Sequence, residues 1–402
     1  MESLSEPKRS WPSWLFQLAA IRIGGAISGL GVTYWAVEHL SSGSAARFIG
    51  NSSALANGLE AITALFVGLF VGRVARASSL VLVLCCSLAA LYAWLSPGQG
   101  SLWLVRAGDG VIAGLATTSA LSQVLQSSRN DKKGPRLLVA FEAMVIVSFA
   151  VGSVVASLLW LPFATSIFLV TAVLYLASML ARPIEPTKAS GKMRPALPRS
   201  PLFLGVVAMS ASASMWVSQV TFVLSGQKVT GQVFPGLLDK PGVSVVVVTY
   251  LIATGIGLAI WSLVLTKINV ILASTIAVGA AIVAPILLLV SNLSSVAAPM
   301  RGGFFVFYAF ALLAQTGLIP SFMAISNRLA SPNASVQLAS AFVISTAFGS
   351  VIGPLLGGYA VAEFSFSGLC ISSCVMAVLA LASLKSGMGD RYDRFGGSAH
   401  EG

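Results

Sequence analysis

Twelve apolar stretches, each roughly 18 to 26 residues long, fill almost the whole of this chain, and Lys and Arg gather in every second gap between them. At about 1.5 Å of rise per helical residue, each stretch is long enough to cross a hydrocarbon layer about 30 Å thick. Lipid offers the backbone no hydrogen bonds, so a crossing segment must be a helix or a strand of a closed barrel. Barrel strands alternate apolar and polar residues and these stretches do not, so the chain reads as an all-α membrane protein. The composition agrees: mean hydropathy is +0.89, 56% of the residues are hydrophobic and only 9% are charged.

The first six crossings are expected over 14–37, 52–72, 78–96, 102–126, 137–161 and 164–181. The second six are expected over 201–225, 243–266, 269–291, 303–325, 338–362 and 366–384. The run from Leu137 to Ala181 is too long for one crossing, and Pro162 marks its expected break.

Basic residues favour the cytoplasmic side. With the N-terminus inside, Lys8, Arg9, Arg73, Arg76, Arg129, Lys132, Lys133, Arg136, Lys267, Arg328, Lys385, Arg391, Arg394 and all five basic residues between Arg182 and Arg199 fall on that side. Arg47, Lys228, Lys240 and Arg301 fall on the other. Both termini are therefore expected in the cytoplasm. The net charge of +11 is then a topology signal. It does not point to nucleic acid, because the charges are scattered over short loops without interleaved aromatics. A modest attraction to anionic lipid fits better. No cleavable leader is expected, since no small-residue cleavage pattern follows the first apolar segment.

The segment Arg182 to Ser200 holds Pro183, Pro186, Pro195 and Pro198 among its basic residues and reads as a tether. It divides the chain into an N-terminal six-helix bundle (1–181), a cytoplasmic linker (182–200) and a C-terminal six-helix bundle with a short tail (201–402). This layout resembles the major facilitator superfamily, whose two halves rock about a midplane site. Local motifs carry the resemblance further. Gly68 to Arg76 is similar to the family's loop between the second and third helices, keeping Gly68, Arg73 and Arg76 but placing Gly72 where the family has Asp. Arg106-Ala107-Gly108-Asp109-Gly110 is similar to its fourth-helix pattern, with Asp109 in place of the usual Gln. Gly349-Ser350-Val351-Ile352-Gly353-Pro354-Leu355-Leu356-Gly357-Gly358 resembles the antiporter signature, though in the eleventh helix and not the fifth, where only Gly152 corresponds. Close helix packing and a proline bend also explain that run. Arg22, Ser28-Gly29, Ser44-Ala45 and the Gly68 loop together loosely resemble the macrolide-efflux and siderophore-exporter branch. The resemblance implies a secondary transporter of twelve transmembrane helices in two pseudo-symmetric bundles, with gating roles at Gly68, Arg73, Arg76, Gly349, Gly353, Pro354, Gly357 and Gly358.

Charges within apolar helices point to chemistry. A charge at a helix centre costs about 3 kcal/mol on insertion scales, so it should face a cavity or a partner. There are five: Arg22, Glu60, Arg106, Asp109 and Glu142. They fall on the first, second, fourth and fifth helices, which the resemblance places around or beside the central cavity. Glu60 and Asp109 lie about 12 and 11 Å from the outer face and Arg22 about 12 Å from the inner, so Arg22 can approach either acid. Arg106 and Asp109 share a helix face, as do Asn57 and Glu60. Desolvation favours a neutral acid and a neighbouring guanidinium favours a charged one. An Arg that engages and disengages therefore switches proton affinity. Asp109, Glu60, Arg22 and Arg106 are the expected proton-coupling residues, with a fixed ion-pair cluster as the alternative. Glu142, about 8 Å from the inner face, is expected to latch Arg73 or Arg76.

The second half carries no deep charge. Its expected substrate contacts are Trp216, Gln219, Tyr308 and Gln315, on the seventh and tenth helices that the resemblance places at the cavity. Charge on one wall and aromatic surface on the other suit a small amphipathic molecule, drug-like or siderophore-like. Cys85, Cys86, Cys370 and Cys374 lie inside helices and read as small packing residues. Neither histidine completes a metal site. No phosphate loop, nucleophile elbow or nucleotide-binding motif is present, so no enzyme activity and no cofactor are expected. The expectation is a monomeric, proton-coupled exporter in a bacterial inner membrane. An importer of a similar solute and a non-transporting receptor on the same fold are the alternatives.

Overall fold

The computed structural model describes residues 13–69, 76–130, 134–180, 200–224, 245–265, 270–292, 297–329 and 335–388. Among them there is no strand. The helices are α1 (Ser13–His39), α2 (Ser42–Leu69), α3 (Arg76–Leu95), α4 (Gln99–Asn130), α5 (Gly134–Phe163) and α6 (Ile167–Ser178). They continue as α7 (Ser200–Leu224), α8 (Val245–Val264), α9 (Val270–Asn292), α10 (Ala298–Gln315), α11 (Leu318–Leu329) and α12 (Ser335–Met388).

The surface is inside out by the standards of a protein in water. Leu88, Leu158, Phe307, Phe310 and Phe364 are all more than 60% exposed, while Ser122, Thr118, Ser274 and Ser321 are fully buried. Such a coat would aggregate in water and is at home in lipid. Among the described residues, six helices are long and apolar enough to cross a membrane, and five shorter apolar ones accompany them. Helix α4 belongs to neither set, because Arg106, Asp109 and its polar end dilute it. The chain is a multi-pass membrane protein.

Four elements differ from the sequence expectation. Helix α2 starts at Ser42, ten residues earlier than expected, and carries Arg47 within it. Helix α5 runs through Pro162 and stops at Phe163, where Ala164 takes a positive φ of 40° before a short turn leads into α6. That left-handed residue reverses the chain where a proline was expected to. The tenth crossing is broken into α10 and α11, since Pro320 has no N–H for the Thr316 carbonyl and Trp261 fills the space beside Gly317. The eleventh and twelfth crossings form one helical run, α12. Gly353 lies against Ala211 and Ser214 of α7, and Ser373 shares a 2.7 Å hydrogen bond with Ser212. Points that a straight helix would hold about 30 Å apart thus sit at one level of α7, so α12 doubles back. An outward limb and a return limb flank α7. The turn falls near Gly368, whose missing side chain admits the Ala360 carbonyl and Phe364.

Helix α1 packs on α4, α5 and α6, α2 on α4, and α3 on α4 and α6. In the other part, α7 packs on α12, α8 on α10, and α9 on α10, α11 and α12. The two parts meet along two seams, α2 and α4 with α12 and α5 with α8 and α11. The linker expected over 182–200 lies outside the described residues except for Ser200.

At the end where α1 stops, aromatic rings tie α1, α2, α4 and α5. Trp35 stacks on His39 and tilts against Phe48, which meets Trp103 edge-on, while Tyr34 stacks on Trp160. The Trp160 indole donates to Glu38 at 2.7 Å. Tryptophan suits such a membrane boundary, apolar in body and polar at one edge.

Candidate functional site

A cavity of about 400 Å³ opens between the seams, walled by α1, α2, α4 and α5 on one side and by α7, α11 and α12 on the other. All five deep charges of the sequence line it. Arg22 of α1 reaches Glu60 of α2, with Nη2 2.5 Å from Oε1 and Nη1 3.5 Å from Oε2, and also donates to the Thr117 hydroxyl of α4 at 2.5 Å. Arg106 of α4 donates to Asp109 one turn on at 2.7 Å and, at 3.5 Å, to the Gly25 carbonyl.

The two acids differ in their surroundings. Asp109 is 4% exposed and accepts three bonds: from Arg106, from the Ser28 hydroxyl at 2.5 Å and from the phenol of Tyr175 on α6. The Tyr175 ring occupies the space where Gly24 would carry a Cβ. The Gly-Asp-Gly context of α4 has a similar cause. A Cβ on Gly110 would strike the Ala56 carbonyl of α2, and one on Gly114 the carbonyl of Glu60, so these glycines bring the two acid-bearing helices into backbone contact.

Glu142 of α5 lies in the cavity, where Arg22 is the charge that acts on it. No hydrogen bond or ion pair joins it to another described residue. Of its expected latch partners, Arg73 lies outside the described residues, as does the side chain of Arg76, with which α3 begins.

The opposite wall carries no charge. Ser210 and Ser214 of α7, Ile319 and Met323 of α11, and Phe342 and Thr346 of α12 form much of it. The expected contacts are placed differently. Tyr308 and Gln315 line a separate cavity of about 120 Å³ among α5, α7, α8, α9 and α10, because α10 turns that face toward α8 and α9. The positions of Trp216 and Gln219 lie on α7, with their side chains outside the described residues. Sequence reasoning met Ser28 only within a motif and passed over Thr117, Tyr175 and the serines of α7. The spacing of Ser210 and Ser214 along one face was the available signal.

The seam beside the cavity explains the glycine-rich run of α12. Gly349 and Gly353 lie against the backbone of α7, at Val207 and Ala211. Gly357 and Gly358 are buried. Pro354 has no N–H, so the Ser350 carbonyl one turn earlier has no helical donor, and the Asn57 amide of α2 donates to it at 2.7 Å. Farther along, Ser340 donates to the Ala64 carbonyl at 2.8 Å, its side chain filling the space left by Gly68. At the far end Arg47 meets Glu363 at 3.3 Å and lies over the Tyr359 ring, all exposed. Among the described residues, no three His, Cys, Asp or Glu side chains are grouped to hold a metal ion.

No protein-family model matches the sequence, and no curated protein matches it significantly. Solved structures do match in shape. The human organic anion transporter MFSD10 (TETRAN) aligns with a TM-score of 0.60 at 14% identity, over 93% of this chain and 97% of that one. A point mutant of the nucleoside transporter NupG gives 0.61 at 13%, over 94% and 98%. The proton:xylose symporter XylE, bound to 6-bromo-6-deoxy-D-glucose, gives 0.61 at 13%, over 92% and 93%. All three are transporters and none is an enzyme. At these identities the likeness speaks for architecture, and it spans nearly the full length of each partner: the chain has the fold of the major facilitator superfamily.

Proposed function

We propose that the protein is a secondary active transporter that moves a small amphipathic organic molecule, drug-like or siderophore-like, by alternating access, as a monomeric proton-coupled exporter. The observation that carries this reading is the cavity itself. It lies between two seams, with a charged wall on one part of the fold and a neutral wall on the other. A cavity at such an interface is where rocking halves expose a substrate first to one side and then to the other. The mixture of serine hydroxyls, Phe342, Met323 and ion pairs suits a molecule with both apolar surface and polar groups. The positive-inside distribution supports both termini in the cytoplasm, and the short loops suit a bacterial inner membrane.

Proton coupling is assigned first to Arg22 and Glu60. They sit on different helices, and Glu142 offers Arg22 a second acid. Protonation of Glu60 releases Arg22, and the guanidinium turns to Glu142. Asp109 and Arg106 form a slower partner pair, since three donors hold Asp109. The gating residues are the seam glycines Gly68, Gly349, Gly353, Gly357 and Gly358 with Pro354, and the basic loop of Arg73 and Arg76. Tyr308 and Gln315 remain substrate contacts through the smaller cavity. The division into 1–181, 182–200 and 201–402 supplies the two moving parts and their tether.

The test is substrate-driven proton flux in everted membrane vesicles, over a panel of cationic drugs and metal-free siderophores. Release of protons from an acidified lumen on adding one compound is the expected result. Silence across the panel, with folded protein present, overturns the exporter reading. Flux of opposite sign would make the protein an importer.

A further inference from the structure

Two prolines interrupt helices that line cavities, and they differ in what becomes of the carbonyl each leaves behind. The carbonyl freed by Pro354 receives Asn57. Pro285 lies inside α9 and likewise frees the Ala281 carbonyl, and both residues line the smaller cavity. That carbonyl has no helical donor. The Thr254 hydroxyl of α8 is 3% exposed and has no partner, and Gln315 and Glu142 make no hydrogen bond to a described residue. A cavity of about 120 Å³ thus holds several acceptor oxygens, with the hydroxyl-bearing Ser212, Tyr308, Thr316 and Ser373 also in its lining. Buried acceptors without donors are costly, and a charged one more so.

Charge narrows the ligand further. Arg22 is matched by Glu60 and Arg106 by Asp109, which leaves Glu142 as the unmatched charge of the two cavities among the described residues. Glu142, Ala213 and Ile319 line both cavities, so one molecule can lie across that shared wall. The smaller space has about three-tenths of the volume of the central cavity and suits the compact polar head of a larger molecule.

We propose that the smaller cavity is a head-group subsite that takes the protonated amine of an amphipathic organic cation, with Glu142 as counter-charge and the Ala281 carbonyl, Thr254 and Gln315 as acceptors. The apolar body of the same molecule lies in the central cavity between Phe342 and Met323. This rests on the transporter reading above and narrows its substrate class. It also gives proton and cation a common target: Arg22, once released by a protonated Glu60, turns to Glu142 and displaces the amine.

The experiment uses the full chain in lipid nanodiscs and two probes of equal shape, phenylbutylamine and the uncharged phenylbutanol. The wild type binds the amine at least about tenfold more tightly, the equivalent of about 1.4 kcal/mol. Glu142→Gln removes that preference. Pro285→Ala returns an N–H to α9 without threatening the helix, so it lowers amine affinity by about threefold to tenfold and leaves the alcohol unchanged. Thr254→Val, near in volume, acts in the same direction. Equal affinities in the wild type, a preference that survives Glu142→Gln, or wild-type amine binding in both Pro285→Ala and Thr254→Val would each overturn the proposal. A chain that drives proton flux with another compound while binding amine and alcohol alike refutes the subsite and leaves the transporter reading in place.

Discussion

Two arginine–carboxylate pairs line one wall of the cavity, and they are built to different ends. Arg106 and Asp109 are three residues apart on one helix, so no motion of helices past each other can part them, and Ser28 and Tyr175 add two further donors to the carboxylate. Arg22 and Glu60 sit on separate helices, Arg22 keeps 23% of its side chain exposed, Thr117 already accepts from it, and Glu142 lines the same cavity. The same ion-pair chemistry makes a fixed strut in one place and an exchangeable contact in the other. What distinguishes them is the number of partners each group has within reach.

The sharpest way to break this comparison is Asp109→Asn. The variant keeps the shape but leaves Arg106 uncompensated, and loss of one partner of a buried pair costs about 3–5 kcal/mol. A sharply lowered thermal midpoint in detergent and little folded protein are expected. A midpoint near that of the wild type would remove the strut and put the Asp109 pair level with Arg22 and Glu60 as a candidate for proton coupling. Glu60→Gln is expected to abolish substrate-driven proton flux with a smaller loss of stability, about 1–2 kcal/mol, because Arg22 turns to Glu142. A double-mutant cycle with Glu142→Gln sharpens the point: the pair is expected to lose about 1 kcal/mol more than the sum of the single variants. Strict additivity would mean that Arg22 never reaches Glu142. Tyr175→Phe removes one of three donors to Asp109, and about 1 kcal/mol of stability is expected to go with it, while transport persists. The smallest effect is expected from Glu363→Gln, whose exposed pairing with Arg47 contributes at most about 1 kcal/mol and weakens with salt. Binding and flux in that variant should match the wild type.

The placement of the charges was legible in the sequence because lipid makes any buried charge conspicuous. Arg22, Glu60, Arg106, Asp109 and Glu142 all line the cavity that their helices were expected to enclose. Their pairing was less legible. Depth along a helix is countable from the sequence, but rotation about its axis is not, and rotation decides that Arg22 meets Glu60 and not Asp109. Tyr175 could not be distinguished from any aromatic of an apolar helix. It reaches the cage only because Gly24 clears its path, a coincidence of two helices far apart in the chain. That Tyr308 and Gln315 line the smaller cavity and not the central one was hidden for the same reason, since the rotation of α10 is not countable from the sequence. Most helix positions followed from apolar length alone, the two limbs of α12 included, whereas the unbroken helical path through its turn has no apolar signature.

The amide of Asn57 rests on a carbonyl that is available only because residue 354 is proline. The alternating access proposed above requires every bond across the seam to break on each cycle, and a bond between two groups with no other partner would resist that. Here water entering the gap can satisfy the Ser350 oxygen and the Asn57 amide almost as well as they satisfy each other. The contact therefore favours register without favouring closure: it tells the halves where to meet and hardly how long to stay.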